Sequence, residues 1–421
     1  MRNAIWCCGS AVALILGTTS AAAQPLGGNQ HEVKHVIMMV PDGMGLADVT
    51  AARILRNCGI LPTNVPPPEQ FCNTGPGGPP LFLETLEHIG YQRTYSKINT
   101  ITDSSAAASA FACGEKFVNN EVCFHADGAP HNRTALELAQ SKGMATGLVA
   151  TQTITHATPA SFAAHTPNRN CENEIARQYI QVTQPDVLLG GGRGKFQSTA
   201  SDACGTAGDF ISEAKAAGYE YVVTKSEMDS AAAKGAKRIL GLFKSGSLTA
   251  EYLGTRPATE PRLPDMTDAA LKILDRNKAG FFLMVEGSLV DSGNHAESLP
   301  FQYGELKAFD EAVQVVLNWI NASPERQQHT LLIILADHET GGFAVKGVGI
   351  KGGEIPDPTV NNLGPFQAGW VFTLVNDPND FEAHHTGGDV MIWSQGPGSE
   401  ALGRAIDNTF VYQVVKNALK L

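Results

Sequence analysis

Three short apolar runs constrain the fold of this chain more than anything else in it: Val36-Ile37-Met38-Met39-Val40, Phe281-Phe282-Leu283-Met284-Val285, and the stretch 330–336. Each is short for a helix and has no polar face, as expected of a parallel strand buried on both sides. Asp186-Val187-Leu188-Leu189 and 145–151 read the same way. Segments with helical spacing lie between them, and Leu306, Phe309, Val313, Val316, Leu317 and Ile320 mark the clearest core-facing helix. Strands alternating with helices predict an α/β fold with a large, mainly parallel central sheet covered by helices on both faces. Further helices are expected over 49–55, 81–88, 134–143 and 214–221, and one capped by Thr267 runs through Asp275. Further strands are expected over 91–102, 222–223, 370–375 and 390–393. Proline and glycine dominate 61–80 and again 341–365, so an irregular surface insertion is expected near 341–385.

The residues just beyond the apolar runs are as informative as the runs themselves. Asp42, Glu286 and the pair Asp337-His338 each come just after one. Open α/β sheets bind ligands at the carboxyl edge of their strands, so these side chains converge in space though distant in sequence. A single carboxylate there is ordinarily a turn former or helix cap; several together argue for a site. The stretch from Thr100 to Gly114 adds a hydroxyl. Thr102-Asp103-Ser104-Ser105 leads into an alanine run of high helix propensity that closes on a glycine. Ser104 then falls in the first helical turn, beside backbone N–H groups that attract an anion, while Asp103 or Ser104 is also an ordinary N-cap. Gly190-Gly191-Gly192-Arg193-Gly194-Lys195 lacks the first glycine and the final Ser or Thr of a phosphate loop and reads as a strand-to-loop turn.

Charge and cysteine usage narrow the function. A net charge of −11 argues against a nucleic-acid partner, and any phosphate site must supply its positive potential locally. Residues 1–23 have a basic start, a short apolar core and small residues before Gln24, as in a secretory signal peptide, which leaves 24–421 as a single exported domain, periplasmic or extracellular. No run reaches the ~18 apolar residues of a membrane span. Beyond the signal, Cys58, Cys72, Cys113, Cys123, Cys171 and Cys204 are expected to form disulfides, read here as nearest-neighbour pairs although the sequence permits other pairings.

The titratable residues also fall into metal-binding spacings. Asp291 and His295 lie four apart, where one helical turn lets both grip one ion. Asp337-His338 offers a second carboxylate and imidazole, and His385 another nitrogen. Mixed His and Asp ligands without thiolate suit catalytic Zn²⁺, whereas Asp42, Glu286 and the Thr158 hydroxyl offer only oxygen and suit Mg²⁺.

The segments Pro41-Asp42-Gly43-Met44-Gly45, Thr102-Asp103-Ser104, His156-Ala157-Thr158-Pro159-Ala160 through Ala164-His165-Thr166 to Arg169, Val285-Glu286-Gly287 through Asp291 to His295, Ala336-Asp337-His338 and His385-Thr386-Gly387 resemble, in order, the motifs of alkaline phosphatases. The resemblance covers the chain from about residue 33 onward. It implies an alkaline-phosphatase-like fold, hydrolysis of phosphate monoesters, Ser104 as nucleophile and Ser105 as bystander. It further implies one Zn²⁺ on Asp291, His295 and His385, a second on Asp42, Asp337 and His338, and Mg²⁺ on Asp42, Thr158 and Glu286. Arg169 would clamp the substrate phosphate, with Asp103 orienting it or capping the helix, and the protein would be a homodimer. His156, a neighbour of the third site, stands where bacterial members often have Asp and resembles the animal enzymes, which leaves that site open to Mg²⁺, bound through water, or to another ion. Rival readings are a phosphodiesterase or phosphonate hydrolase on the same fold and, from another class, a non-catalytic phosphate-binding export. A sulfatase is disfavoured, because the residues after Ser104 lack the Pro and Arg of that nucleophile's maturation motif.

Overall fold

In the computed structural model, strands β1 (His35–Pro41), β2 (His88–Arg93), β3 (Ala145–Thr153), β4 (Val187–Gly191), β5 (Glu220–Val222), β6 (Ile239–Leu242), β7 (Phe281–Gly287), β8 (Thr330–Leu335), β9 (Val390–Gln395) and β10 (Ala405–Asp407) form one ten-stranded sheet. The structure describes residues 32–58, 78–198, 201–346, 361–362, 367–370 and 383–421. The spatial order is β10-β2-β9-β8-β1-β7-β3-β4-β6-β5. Strand β9 runs antiparallel to both neighbours, and every other pair is parallel. The expected mainly parallel α/β sheet is therefore what the chain forms.

The central strands are buried throughout because each face of the sheet carries its own core. Ile37 and Met39 of β1, Leu283 and Val285 of β7, and Leu332 and Ile334 of β8 face one side, with Leu306, Phe309 and Val313 of the Leu299–Asn321 helix. Val36, Met38 and Val40, with Phe282, Met284, Leu331 and Ile333, face the other, where Phe111 of the Ser104–Cys113 helix packs. This two-residue alternation inside fully apolar runs follows from the pleat of a strand buried on both faces. Burying each such side chain contributes about 1.5–3 kcal/mol.

Register sets the site. Val40 lies opposite Glu286, Glu286 opposite Ala150, and Met39 opposite Ile334. Continuing that pairing past the strand ends brings Asp42, Glu286 and Asp337 out together at the carboxyl edge.

Several expected elements differ. The segment 81–88 is a short helical turn, Phe82–Thr85, followed by β2, and that strand ends at Arg93 instead of running from 91 to 102. Ile89 and Tyr91 are exposed while Gly90 and Gln92 are buried, an alternation too weak in the sequence to outweigh the preceding leucines. Ser104 therefore follows an irregular stretch, not a strand end. Thr267 lies inside the Leu263–Leu274 helix, bonded to the Leu263 carbonyl, and Asp265 accepts from the Arg262 N–H at the true start. The helix expected over 214–221 runs over Phe210–Ala216. Within the Gly/Pro-rich insertion, Ala344–Lys346, Asn361–Asn362 and Gln367–Gly369 make a small antiparallel sheet. The signal segment and most of the strand expected over 370–375 lie outside the described residues. So does the expected Cys58–Cys72 pairing, whereas Cys113–Cys123 and Cys171–Cys204 are disulfides. No helix among the described residues is long and apolar enough to cross a membrane.

Candidate metal-assisted active site

The carboxyl edge gathers the predicted residues into one buried cluster. Asp42 follows β1 through a turn in which Gly43 adopts φ +70°, and the Gly43 N–H donates to Asp337 Oδ1 at 3.1 Å. A Cβ on Gly43 would lie 2.6 Å from Asp291 Oδ1 and 2.8 Å from Thr340 Oγ1, so only glycine allows this close approach. Asp103 caps the Ser104–Cys113 helix by accepting from the Ala106 N–H at 3.0 Å. Ser104 Oγ lies 3.2 Å from His338 Nε2, while Ser105 Oγ turns away and donates to Asp103 Oδ2 at 2.8 Å.

Hydrogen bonds fix how the imidazoles present themselves. Thr340 Oγ1 sits 2.6 Å from Asp291 Oδ1 and 3.2 Å from His338 Nδ1. The threonine has one proton and the carboxylate needs it, so His338 Nδ1 must donate to Thr340 Oγ1. His385 Nδ1 meets the Thr102 carbonyl at 3.0 Å, and His295 Nδ1 the Ala383 carbonyl at 2.5 Å, so both also carry their proton on Nδ1. Rings anchored through Nδ1 in this way turn Nε2 inward, as metal-binding histidines do. His295 Nε2 and His385 Nε2 are then 3.2 Å apart, with Asp291 Oδ2 3.3 Å from the first and Asp291 Oδ1 3.8 Å from the second. His338 Nε2 lies 3.2 Å from Asp337 Oδ2 and 3.6 Å from Asp42 Oδ1. Lone pairs and carboxylate oxygens at such distances repel unless a proton or a metal cation lies between them.

The carboxyls carry the same requirement. Both oxygens of Asp42, Asp337 Oδ2, Glu286 Oε1 and Thr158 Oγ1 are buried without hydrogen-bond partners among the described residues. Burial, then the charges of Asp337, Asp291 and Glu286, pushes the Asp42 carboxyl well above the usual range. Burial outweighs the Ser288 hydrogen bond and raises Glu286 to about 7. Burial holds His338 well below the usual imidazole value, hence neutral. Burial raises Asp42, Glu286 and Asp337, whereas the hydrogen bond from His295 and the neighbouring imidazoles hold Asp291 below the usual range against its burial; such a dry set of acids around the neutral His338 fits cation binding. Ligand atoms of Asp42, Asp337 and His338, of Asp291, His338 and His385, and of Asp42, His156 and Glu286 fall within 4.8 Å of one another in each group.

Arg169 completes the cluster. It donates from one guanidinium nitrogen to Asp103 Oδ2 and from another to His156 Nε2, both at 3.1 Å. Its backbone N–H donates to the Asn120 carbonyl at 2.8 Å, and the Asn120 N–H to Asp103 Oδ2 at 3.0 Å. Burial alone would raise the Asp103 carboxyl, but the Arg169 charge and the Ala106 and Ser105 hydrogen bonds hold it below the usual range. Asp103 thus both caps the helix and orients the arginine. Burial and the Arg169 charge bring His156 down to about 4.

The structure thus brings Asp42, Asp103, Ser104, His156, Thr158, Arg169, Glu286, Asp291, His295, Asp337, His338 and His385 to one edge. Two supporting hydroxyls went unread in the sequence: Thr340, which sets the His338 tautomer, and Ser288, which donates to Glu286 Oε2 at 2.6 Å. Each lies two residues beyond a site residue. Behind the turn, buried Asp48 accepts from the Gly45 N–H at 2.7 Å and the Asn294 amide at 3.0 Å, and Trp370 Nε1 donates to Asn294 Oδ1 at 3.0 Å. Nothing in the spacing of these three residues announced that contact.

Residues 33–362 match the family model described as alkaline phosphatase. Alkaline phosphatase 3 of Bacillus subtilis is 36% identical over 342 residues, which span 79% of this chain and 66% of that protein, just under two thirds of its length. The crystal structure of Thermus thermophilus alkaline phosphatase superposes with a TM-score of 0.76 at 26% identity, covering 97% of this chain and 96% of that one. The alkaline phosphatase of the Antarctic bacterium TAB5 gives a TM-score of 0.74 at 25% identity, covering 92% and 98%. A histidine-to-aspartate variant of the TAB5 enzyme has Mg bound in its M3 site. With its fold, its edge cluster and the order of its motifs in agreement, this chain belongs to the alkaline phosphatase family.

Proposed function

We propose that this chain hydrolyses phosphate monoesters through a phosphoserine intermediate on Ser104, with two Zn²⁺ and one Mg²⁺ as cofactors. The observation that carries the reading is the 3.2 Å approach of Ser104 Oγ to the unprotonated Nε2 of a buried, neutral His338. Asp291, His295 and His385 would hold one Zn²⁺, Asp42, Asp337 and His338 the other, and Asp42, Thr158 and Glu286 the Mg²⁺, with His156 beside it. Mg bound in the M3 site of the TAB5 histidine-to-aspartate variant supports the wider reading that a structure of this fold can hold that ion. Such cations, when bound, favour ionisation of a neighbouring hydroxyl and offset charge on phosphoryl and leaving-group oxygens.

The chain's own residues do the rest. Ser104 attacks phosphorus from the helix start while the bond to the alcohol breaks. Water then attacks the phosphoserine, freeing phosphate and restoring the hydroxyl. Arg169, held flat by Asp103, turns its paired N–H groups to two unesterified oxygens, a geometry lysine cannot reproduce. A monoester keeps three such oxygens, so two can face Arg169 and one the cation side, which favours monoesters over diesters. The disulfides support the reading of an exported protein, and the family resemblance that of a homodimer.

The test pairs Ser104→Ala with Ser105→Ala. The first should lose at least about 10³-fold in kcat and the second should keep most of it. Turnover should also fall with chelator. Faster cleavage of an aryl diester than of the monoester, or an active Ser104→Ala enzyme, would overturn the proposal.

A further inference from the structure

Asp48 stands behind the edge cluster in the Leu46–Cys58 helix, fully buried. Among the described residues its carboxylate meets N–H donors rather than a cation. Oδ2 accepts from the Gly45 N–H at 2.7 Å, and Oδ1 accepts from the Asn294 amide at 3.0 Å and from the Gln302 amide. A carboxylate kept in a dry interior without a cation costs stability, so its presence points to a demand on geometry.

The geometry it serves follows from Trp370. An indole N–H only donates, so the atom it meets at 3.0 Å is Asn294 Oδ1, and the Asn294 amide hydrogens are left to face Asp48 Oδ1 and, at 3.4 Å, the Gly43 carbonyl. Donors thus converge on Asp48 from three segments, and only a side chain with no donor of its own satisfies them all. Gly43 directly follows Asp42, and Asn294 sits between Asp291 and His295 in the Leu289–His295 helix. The carboxylate therefore ties the turn that carries Asp42 to the helix that carries Asp291 and His295. Those segments serve different candidate cation groups, Asp42 with Asp337 and His338, and Asp291 with His338 and His385. Carboxyls crowded together do not hold one another in place, so their spacing has to be set from outside the cluster.

Resting on the two-cation reading above, we propose that Asp48 is a positioning residue for metal capture, which locks the Asp42 turn to the Asp291–His295 helix so that both ligand groups exist before a cation arrives. Asp48→Asn keeps the size but turns an N–H toward either the Gly45 N–H or the Asn294 amide, and the tie opens. The experiment titrates Zn²⁺ into the metal-stripped full chain against a chelator of known affinity, with elemental analysis and a thermal melt of the stripped protein. Zn²⁺ affinity should fall by about 10- to 100-fold, the range for residues that orient metal ligands. The stripped variant should still melt cooperatively, and excess Zn²⁺ should restore most of its p-nitrophenyl phosphate turnover. The double variant Asp48→Asn/Asn294→Asp reverses the pair: the carboxylate now at 294 accepts from Trp370 Nε1 and from the new amide, whose oxygen is left for the Gly45 N–H, so most of the lost affinity should return. Parent-like affinity in Asp48→Asn would overturn the proposal, as would a loss that the double variant does not recover. If Asp48→Asn does not fold, the double variant decides: folding with near-parent affinity upholds the tie, and any other result removes it. A parent protein that binds no Zn²⁺ removes the two-cation reading, whereas a parent that binds it as tightly as Asp48→Asn does removes the Asp48 assignment alone.

Discussion

The Thr340 hydroxyl is the most economical place to test whether the imidazole tautomers matter. It is fully buried, gives its proton to Asp291 Oδ1 at 2.6 Å and accepts from His338 Nδ1 at 3.2 Å. Thr340→Val keeps the shape and removes both bonds. His338 Nδ1–H is then a buried donor without a partner, which costs about 1–3 kcal/mol, and Asp291 loses its shortest hydrogen bond. The ring can escape that cost by moving its proton to Nε2, which removes the lone pair facing Ser104 and the Asp42 and Asp337 oxygens. At 1.4 kcal/mol per decade, either route predicts a loss of about 10- to 100-fold in kcat/KM, the range typical of residues that orient metal ligands. The assay is p-nitrophenyl phosphate turnover alongside elemental analysis of bound metal and a thermal melt. Thr340→Ser restores the hydroxyl and should recover activity to within about threefold. A valine variant within twofold of the parent and with full metal content would show that the tautomer argument is wrong.

The same geometry sets two further outcomes. Gly43→Ala places a Cβ 2.6 Å from Asp291 Oδ1 and 2.9 Å from the Asp291 Cα, at φ +70°, so backbone strain of about 1–2 kcal/mol and displacement of Asp291 should lower metal content and kcat/KM by more than tenfold; parent-like metal content would contradict the crowding. Glu305 is buried and raised to about 7, chiefly by burial, while its carboxylate accepts from the Glu251 N–H at 2.7 Å. A raised folded-state pKa means that its contribution to stability is fully present below the unfolded value, near 4.5, and is lost as pH rises through about 7. Glu305→Gln, which stays neutral, should therefore gain on the order of 2 kcal/mol relative to the parent between pH 5 and pH 8 in denaturant melts. A gain independent of pH would sink that account.

How much of this was legible in the sequence depends on range. Parallel strands buried on both faces leave unbroken apolar runs, and the acids after β1, β7 and β8 are readable because register converts strand ends into a shared edge. Strand β2 was not readable, since Ile89, Tyr91 and Arg93 face solvent and a buried Gly90 sits where a Cβ would meet the Leu402 carbonyl at 2.0 Å. Ser104 was found through its helix, although its approach to the edge runs through irregular backbone. Thr340 and Ser288 stayed hidden for a different reason: a threonine or serine two residues past a ligand is ordinary, and only the third dimension shows which proton it gives away. The Asp48, Asn294 and Trp370 contact joins three distant segments and has no local signature.

The same distinction explains how so acidic a chain could hold phosphate. Its net charge of −11 would repel the substrate, and the edge makes matters worse locally by packing Asp42, Glu286, Asp291 and Asp337 together. Among the described residues, Arg169 is paired with Asp103 and Lys195 with Glu172, so neither cation adds net positive charge beside the cluster. Arg169 alone cannot invert the sign, because its charge is already spent on Asp103. On the proposed reading, attraction comes from cations seated among the acids, of which Asp42, Glu286 and Asp337 are fully buried. Substrate affinity and metal occupancy are then one quantity: inorganic phosphate should bind the loaded protein and leave the chelated one, while fold and melting cooperativity persist on the two apolar faces of the sheet. Phosphate bound equally well by the chelated protein would mean that the guanidinium suffices and that the buried carboxyls serve some other purpose.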